Sequence, residues 1–409
     1  MTGKIDKERD GCSSGADICV VGGAGHVGLG MSIVLAGKGK RVLILDINTE
    51  KMELIRKGNM PFLEYGAEPL LKEALASDRL LFSSNAADIT DVPTVIVTIG
   101  TPIDSFLNPD MRGFIQCFEE IAPYLSDEHL LILRSTVYPG MTEWLESFCR
   151  KRGLRTRIAF CPERIIEGHA IRELQTLPQI VSGTTPEAEE SAAEVFSWIA
   201  PSIVRLKPME AEFAKLFANA YRYIQFAITN QFYMLSTAAG LDYYRILDGI
   251  KQDYPRLRDI PKAGYAAGPC LLKDTMQLTA FSNNNFSLGY SAMSINEGLP
   301  LFVVDQLEKT YRLTEMTVGI LGMAFKADSD DPRSSLSYKL KKLLKIRAKS
   351  VLTTDPLVSC DEDLVGLEEV IDQSDLLVLA VPHSAYKNID TGNKPTIDIW
   401  NFFGNGSRI

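Results

Sequence analysis

Short runs of uninterrupted apolar residues recur through the first half of the chain. They are Ile18-Cys19-Val20-Val21, Arg41 to Leu45, Leu80-Leu81-Phe82, Thr94 to Thr98, Leu130 to Leu133 and Arg157 to Phe160. Segments with helical spacing lie between them. Continuous apolar runs alternating with helices predict strands buried on both faces, hence a parallel, doubly wound α/β sheet. From Pro208 to about Gly240 the breakers disappear and the period becomes helical. That predicts one helix of about 45 Å, at 1.5 Å per residue. The strand pattern then returns at Thr317–Gly322, Ser350–Thr354, Asp375–Val381 and Thr396–Trp400. The expected fold class is α/β: two doubly wound parallel-sheet domains joined by a long central helix. The expected divisions are a polar tail over 1–16, a first α/β domain over 17–207, a central helical domain over 208–312 and a second α/β domain over 313–409.

Composition changes this picture little. A chain of 409 residues exceeds one ordinary core. Its 45% hydrophobic and 23% charged residues are those of a globular protein. The net charge of −9 argues against nucleic acid and anionic membrane as partners. The seven cysteines show no CxxC spacing, so neither a metal site nor a disulfide framework is expected, and a reducing compartment is. Residues 1–16 have no apolar stretch suited to a signal peptide, and no apolar run reaches membrane-spanning length. A cytoplasmic location is therefore expected.

Between the first strand and the helix after it lies Gly23-Ala24-Gly25-His26-Val27-Gly28. The three glycines of GxGxxG serve a tight turn, close backbone approach to a pyrophosphate and close helix–strand packing. Asp46 ends the next strand, placed to accept hydrogen bonds from an adenosine ribose and to repel a 2′-phosphate. This points to a Rossmann-like domain and to NAD rather than NADP. Ligands of such sheets bind beyond the carboxyl ends of the strands. That directs attention to Gly100-Thr101-Pro102, to Arg134-Ser135-Thr136-Val137-Tyr138-Pro139-Gly140 and to Cys161-Pro162-Glu163-Arg164.

Three pairs share helical i, i+4 spacing: Glu163 with Glu167, Lys215 with Asn219, and Cys270 with Asp274. Cys270 stands in Gly-Tyr-Ala-Ala-Gly-Pro-Cys-Leu-Leu-Lys-Asp (264–274). Pro269 suits the first position of a helix, which would set Cys270 in the first turn, where the helix dipole favours thiolate. In the second α/β domain Lys326 and Arg333 flank the exit of the strand at 317–322, suiting an anionic ligand such as a nucleoside diphosphate. That domain repeats strand, glycine, helix, strand and Asp without GxGxxG, so dinucleotide binding is not expected there.

Taken in order, these motifs resemble the nucleotide-sugar 6-dehydrogenases, which include UDP-glucose and UDP-N-acetylhexosamine enzymes. The likeness rests on Gly23–Gly28, Gly100-Thr101-Pro102, Ser135–Gly140 and Cys161–Arg164. It continues through Glu212-Phe213-Ala214-Lys215-Leu216-Phe217-Ala218-Asn219-Ala220, Gly268–Asp274, and Gly322-Met323-Ala324-Phe325-Lys326 with Arg333. The resemblance implies an N-terminal NAD domain, a homodimer formed through the central helix and a C-terminal domain gripping UDP. It also implies oxidation of a C6 alcohol to a carboxylate by two NAD per sugar. Cys270 would attack the C6 aldehyde and carry the thioester, with Lys215 and Asn219 stabilising the oxyanion. Asp274, Glu167 or Glu163, with Thr136, would position or activate water. Gly23, Gly25, His26, Val27, Gly28, Asp46, Thr101, Thr136 and Arg333 would contact NAD. Glu163, Arg164, Lys215, Asn219 and Lys326 would contact the UDP-sugar, whose uronic acid would serve polysaccharide biosynthesis.

Pro-Glu-Arg at 162–164 looks like the N-acetylhexosamine enzymes, whereas Glu167-Gly168 looks like the UDP-glucose ones. An N-acetylated UDP-hexosamine of the N-acetylmannosamine type is expected, with UDP-glucose as the alternative. A two-electron β-hydroxyacid dehydrogenase would need no thiol at Cys270, and a non-catalytic NAD-binding module would need none of the three pairs.

Overall fold

The computed structural model describes residues 15–406, so most of the polar tail expected over 1–16 lies outside the described residues. Two compact units are present, one of Met1–Thr101 with Asp110–Lys215, the other of Pro102–Pro109 with Leu216–Ile409.

The first unit is built on an eight-stranded sheet. Its strands are β1 (Ile18–Val21), β2 (Val42–Leu45), β3 (Leu80–Ser83), β4 (Thr94–Val97), β5 (Leu130–Leu133), β6 (Arg157–Phe160), β7 (Gln179–Gly183) and β8 (Ile203–Arg205). They lie in the order β3-β2-β1-β4-β5-β6-β7-β8. The order reverses between β1 and β4, whose register pairs Ile18 with Thr94 and Val21 with Val97. A reversal of this kind opens a crevice beyond the strand ends. Successive side chains point to opposite faces. Ile18, Val20, Ile44, Ile96 and Ile132 accordingly join one buried cluster, and Cys19, Val21, Leu43, Val95, Val97 and Leu131 join the other. Burial on both sides is why these strands carry no polar alternation.

Two strands were absent from the expectation. β8 has three residues, all at least partly exposed, too short and too polar to read as a buried run. β7 pairs antiparallel with β6, Phe160 opposite Ser182, so the parallel run of the sheet ends at β6.

The helix Pro208–Ala238 has 31 residues and starts in the first unit. Its first turns belong to the first unit's core, with Ala211 in the cluster that holds Val137, Met141 and Leu145. In the second unit four parallel strands, β9 (Thr317–Leu321), β10 (Ser350–Thr354), β11 (Leu376–Leu379) and β12 (Thr396–Asp398), take the order β10-β9-β11-β12. Here too alternation divides the strands. Val318, Ile320, Leu376 and Val378 face the helical side with Leu340 and Leu344, while Leu321, Leu377 and Leu379 pack on Val370 and Tyr386. Among the described residues no helix is long and apolar enough to cross a membrane.

Candidate active site

In the first unit the chain leaves β1 through Gly22, at φ +76°, and enters the helix His26–Gly37. A Cβ on Gly23 would sit 2.7 Å from the Val20 carbonyl, and one on Gly28 2.5 Å from the Gly22 carbonyl. Packing within the protein explains both glycines. At Gly25 the only neighbour a Cβ would meet among the described residues is the Gly22 carbonyl, at 3.3 Å. The protein itself makes little demand for glycine there, whereas close approach of a ligand phosphate does. Its N-cap residue, Gly25, has no side chain to cap it and its first turn carries no acidic residue, so the positive end of the helix suits an anion. The loop thus fits the pyrophosphate of a dinucleotide.

Asp46 is half-buried at the end of β2 and accepts from Ala24 N at 3.0 Å and from Asn48 N at 2.9 Å. A carboxylate offers about four lone-pair sites, so acceptor capacity remains for ribose hydroxyls. Across the crevice the Thr98 hydroxyl donates to the Val21 carbonyl at 2.9 Å. The imidazole of His26 stacks on Phe62, centroids 3.9 Å apart, and its Nε2 lies 3.5 Å from Glu167 Oε1. Phe62, a core aromatic with no motif around it, gave no signal in the sequence.

Beyond β4 and β5 the hydroxyl of buried Thr101 donates to the Thr136 carbonyl. Arg134 is 1% exposed, and its guanidinium donates to Cys161 O at 3.1 Å, to Gln179 Oε1 at 3.0 Å and to Glu163 Oε2, over the Phe196 ring. The other oxygen of Glu163 accepts from the backbone N–H of Arg164 at 2.6 Å and of Ile165 at 2.8 Å. Both Glu163 oxygens therefore hold the loop together. The Arg164 guanidinium in turn donates to the Pro178 carbonyl. Lys215 is 8% exposed on the central helix, with no hydrogen bond or ion pair among the described residues.

In the second unit the cysteine segment differs from expectation by two positions. Gly268 adopts φ +103°, which turns Pro269 and Cys270 into a bend, and the helix begins at Leu271 with Cys270 as its N-cap residue. A Cβ at Gly268 would lie 2.5 Å from the Phe325 ring. The exposed thiol still stands at the positive end of the helix. Asp274 N donates to Cys270 O at 2.9 Å, so the carboxylate is one turn further along. Asp274 is fully buried, accepts from Asn219 Nδ2 at 2.5 Å and pairs with Lys273 Nζ at 2.7 Å. Upstream, Asn230 brackets Gly264 by accepting from its N–H at 2.8 Å and donating to its carbonyl at 3.0 Å. Asn296 accepts from Asn230 at 2.9 Å and donates to Tyr223 O at 3.0 Å. Two buried asparagines on apolar helices were the available signal for this network.

The loop after β9 carries Lys326 and Arg333. Lys326 Nζ lies 5.7 Å from the Phe325 ring centroid. Arg333 is exposed, and its Nε and guanidinium nitrogen donate to Asp331, Nε at 2.8 Å and the terminal nitrogen at 2.5 Å from Oδ2. Asp355, the counterpart of Asp46, accepts from Met323 N, Ala324 N and His383 Nε2 on one oxygen and from Leu357 N and Val358 N on the other. Five donors saturate its lone pairs, and its side chain is fully buried, so no ribose can reach it.

A dinucleotide-binding domain, a long helix bearing Lys and Asn, a cysteine at a helix N-cap position and, after it in the chain, a second α/β domain define an NAD-dependent dehydrogenase. Residues 16–200, 209–298 and 319–405 match the NAD-binding, central and UDP-binding domains of the UDP-glucose/GDP-mannose dehydrogenase family. The chain belongs to that family and is an NAD-dependent oxidoreductase of the UDP-sugar dehydrogenase kind. It is 27% identical over 379 residues to the UDP-N-acetyl-D-mannosamine dehydrogenase of Pyrococcus horikoshii, covering 90% of each chain. Over 390 residues it is 26% identical to an NDP-N-acetyl-D-galactosaminuronic acid dehydrogenase of Ralstonia nicotianae, covering 90% of this chain and 91% of the other. The solved structure of the Pyrococcus horikoshii enzyme superposes with a TM-score of 0.88 at 27% identity, over 95% and 96% of the two chains. A UDP-glucose dehydrogenase from Pyrobaculum islandicum gives 0.86 at 26% identity, over 95% and 94%.

Proposed function

We propose that the protein oxidises the C6 alcohol of a UDP-N-acetylhexosamine, of the N-acetylmannosamine type, to the uronic acid. The observation that carries the chemistry is Cys270 at a helix N-terminus with Asp274, one turn on, fixed by Asn219 at 2.5 Å. Bound NAD supplies the hydride acceptor, one molecule for each of two oxidations. The glycine loop at 23–28 and Asp46 hold it, with Thr101, Thr136 and Arg333 as further contacts. In the first oxidation the C6 alcohol loses the proton of its hydroxyl and a hydride from C6 itself and becomes an aldehyde. The Cys270 thiolate adds to that carbon, and Lys215 and Asn219 stabilise the resulting oxyanion. Loss of the second hydride leaves a thioester, and water displaces the thiolate to give the carboxylate. Asp274, Glu163 and Glu167, with Thr136, are the groups offered to that water, and Arg164 and Lys326 to the nucleotide sugar.

Support for an N-acetylated sugar comes from Pro162-Glu163-Arg164 and from the relatives named above. UDP-glucose is the second reading, favoured by Glu167-Gly168 and by the likeness to the Pyrobaculum islandicum enzyme. The test is a panel of UDP-sugars with NAD, scoring NADH per sugar. Two NADH with an N-acetylated sugar support the reading; one NADH per sugar overturns the mechanism. Cys270→Ala should bind both ligands and release no carboxylate.

The protein is further read as a homodimer. Phe217, Tyr221, Ile228, Phe232 and Leu235 are exposed on the central helix and, at about 100° per residue, fall within one narrow stripe. An apolar seam of this kind suits a second copy of the same helix, and Phe232→Glu should yield a monomer by light scattering. Thiols at all six described cysteines support a reducing, cytoplasmic setting, and the acidic product suits polysaccharide synthesis.

A further inference from the structure

Glu212 belongs to the motif that contains Lys215 and Asn219, yet the chemistry above gives it no task. It is 1% exposed on the first turns of the central helix. Its carboxylate accepts from Gly140 N at 2.6 Å, from Thr142 N at 2.9 Å and from the Thr142 hydroxyl at 2.6 Å. Those donors open the helix Met141–Lys151, whose N-cap is Gly140 at φ +95°. A glycine has no side chain with which to cap, and Glu212 supplies the missing oxygen from 72 residues downstream. Burial pushes the Glu212 carboxyl above its ordinary range, and the Thr142 and Gly140 donors oppose that push.

The loop so capped is 134–140. It leaves the carboxyl end of β5 on the crevice side of the sheet, and it contains Thr136, whose carbonyl accepts from Thr101. Its far end is tied to the central helix by Glu212. Lys215 follows three residues later, on the same side of that helix. Ala211 packs in the cluster that contains Val137, Met141 and Leu145, with Ala214 against it, so apolar contact reinforces the polar tie.

We propose that Glu212 is a positioning residue for the oxidation: it fastens the cofactor-side loop 134–140 to the helix that presents Lys215, so that the two keep one register. The proposal rests on the reading of Lys215 as the oxyanion cation. Displacement of a reacting group by about 1 Å costs up to ~10²-fold in rate. Glu212→Gln is close to isosteric and keeps an acceptor for Thr142 while placing an amide against the Gly140 N–H. It should lower kcat by about ten- to a hundredfold with little change in the KM for the UDP-sugar. Thr142→Val, which removes one donor, should act in the same direction and less.

The experiment is a cycle of Glu212→Gln and Lys215→Ala in the full-length protein, with kcat, both KM values and thermal midpoints measured, the rates taken well below every midpoint. Glu212→Gln is expected to cost nothing further once Lys215 is alanine. Losses that multiply, or a lowered midpoint with unchanged kcat, overturn the positioning role. A Lys215→Ala single variant with full kcat would instead remove the reading of Lys215, and that result is visible without Glu212.

Discussion

The indole of Trp400 occupies the place where a side chain on Gly264 would begin. A Cβ built on Gly264 lies 2.2 Å from the six-membered ring, and that ring is anchored by the indole N–H donating to Ala380 O at 3.0 Å. Gly264 is also bracketed by Asn230, so neither partner has room to give. Six residues on, the same segment reaches Cys270.

Gly264→Ala should therefore destabilise the protein by about 1–3 kcal/mol, the usual cost of overpacking. Denaturant unfolding measures it, with a lower midpoint and an unchanged slope expected. Activity should fall as well, because the displaced segment carries the thiol.

Glu163→Ala would leave the Arg134 guanidinium buried without its counter-ion. Removing one partner of a buried pair costs about 3–5 kcal/mol. The variant is expected to show that loss in urea unfolding, and Glu163→Gln, which keeps one acceptor oxygen, a smaller one.

Lys215→Ala should reduce kcat by ~10²–10³-fold, the worth of one preorganised oxyanion donor. Steady-state kinetics with saturating NAD decide it; a change confined to the KM of the sugar would contradict the role.

Burial would raise the Asp355 carboxyl, yet the hydrogen bond and charge of His383 and the amides of Val358 and Leu357 outweigh it, holding the carboxyl down at about 2 against 3.8 unperturbed. A depressed carboxyl adds stability that is complete above its unfolded value and is lost as pH falls through its folded value. The stability gap between the wild-type protein and Asp355→Asn should thus be constant from pH 7 to about 5 and shrink towards pH 2. Unfolding measured across that range checks the sign.

Burial pushes the thiols of Cys117 and Cys161 up to about 12 and that of Cys149 to about 11, and raises Cys19 further. Cys270 and Cys360 are exposed. Iodoacetamide at neutral pH should label these two first among the described cysteines, because thiolate is the reacting form. Mass spectrometry identifies the sites; loss of activity should follow labelling of Cys270 and be unaffected by Cys360→Ser.

Local rules carried much of this protein in its residue order. Strands buried on both faces need unbroken apolar runs, and a turn as tight as that of Gly23 and Gly28 needs glycine, so β1, its loop and Asp46 were legible directly. The same was true of the central helix and of Lys215 and Asn219 on it, because a helix brings such residues to one side whatever surrounds it. It was not true of Glu163 and Glu167, where no helix forms and Glu163 turns to Arg134 while Glu167 lies by His26. Contacts between segments distant along the chain were not legible. Glu212 on Gly140, Arg134 on Glu163, Trp400 over Gly264 and the five donors around Asp355 depend on how helices and loops pack. Asp46 and Asp355 end equivalent strands in the same local pattern, yet only the folded chain fills the second with its own amides and a histidine, leaving the first able to accept from a ribose.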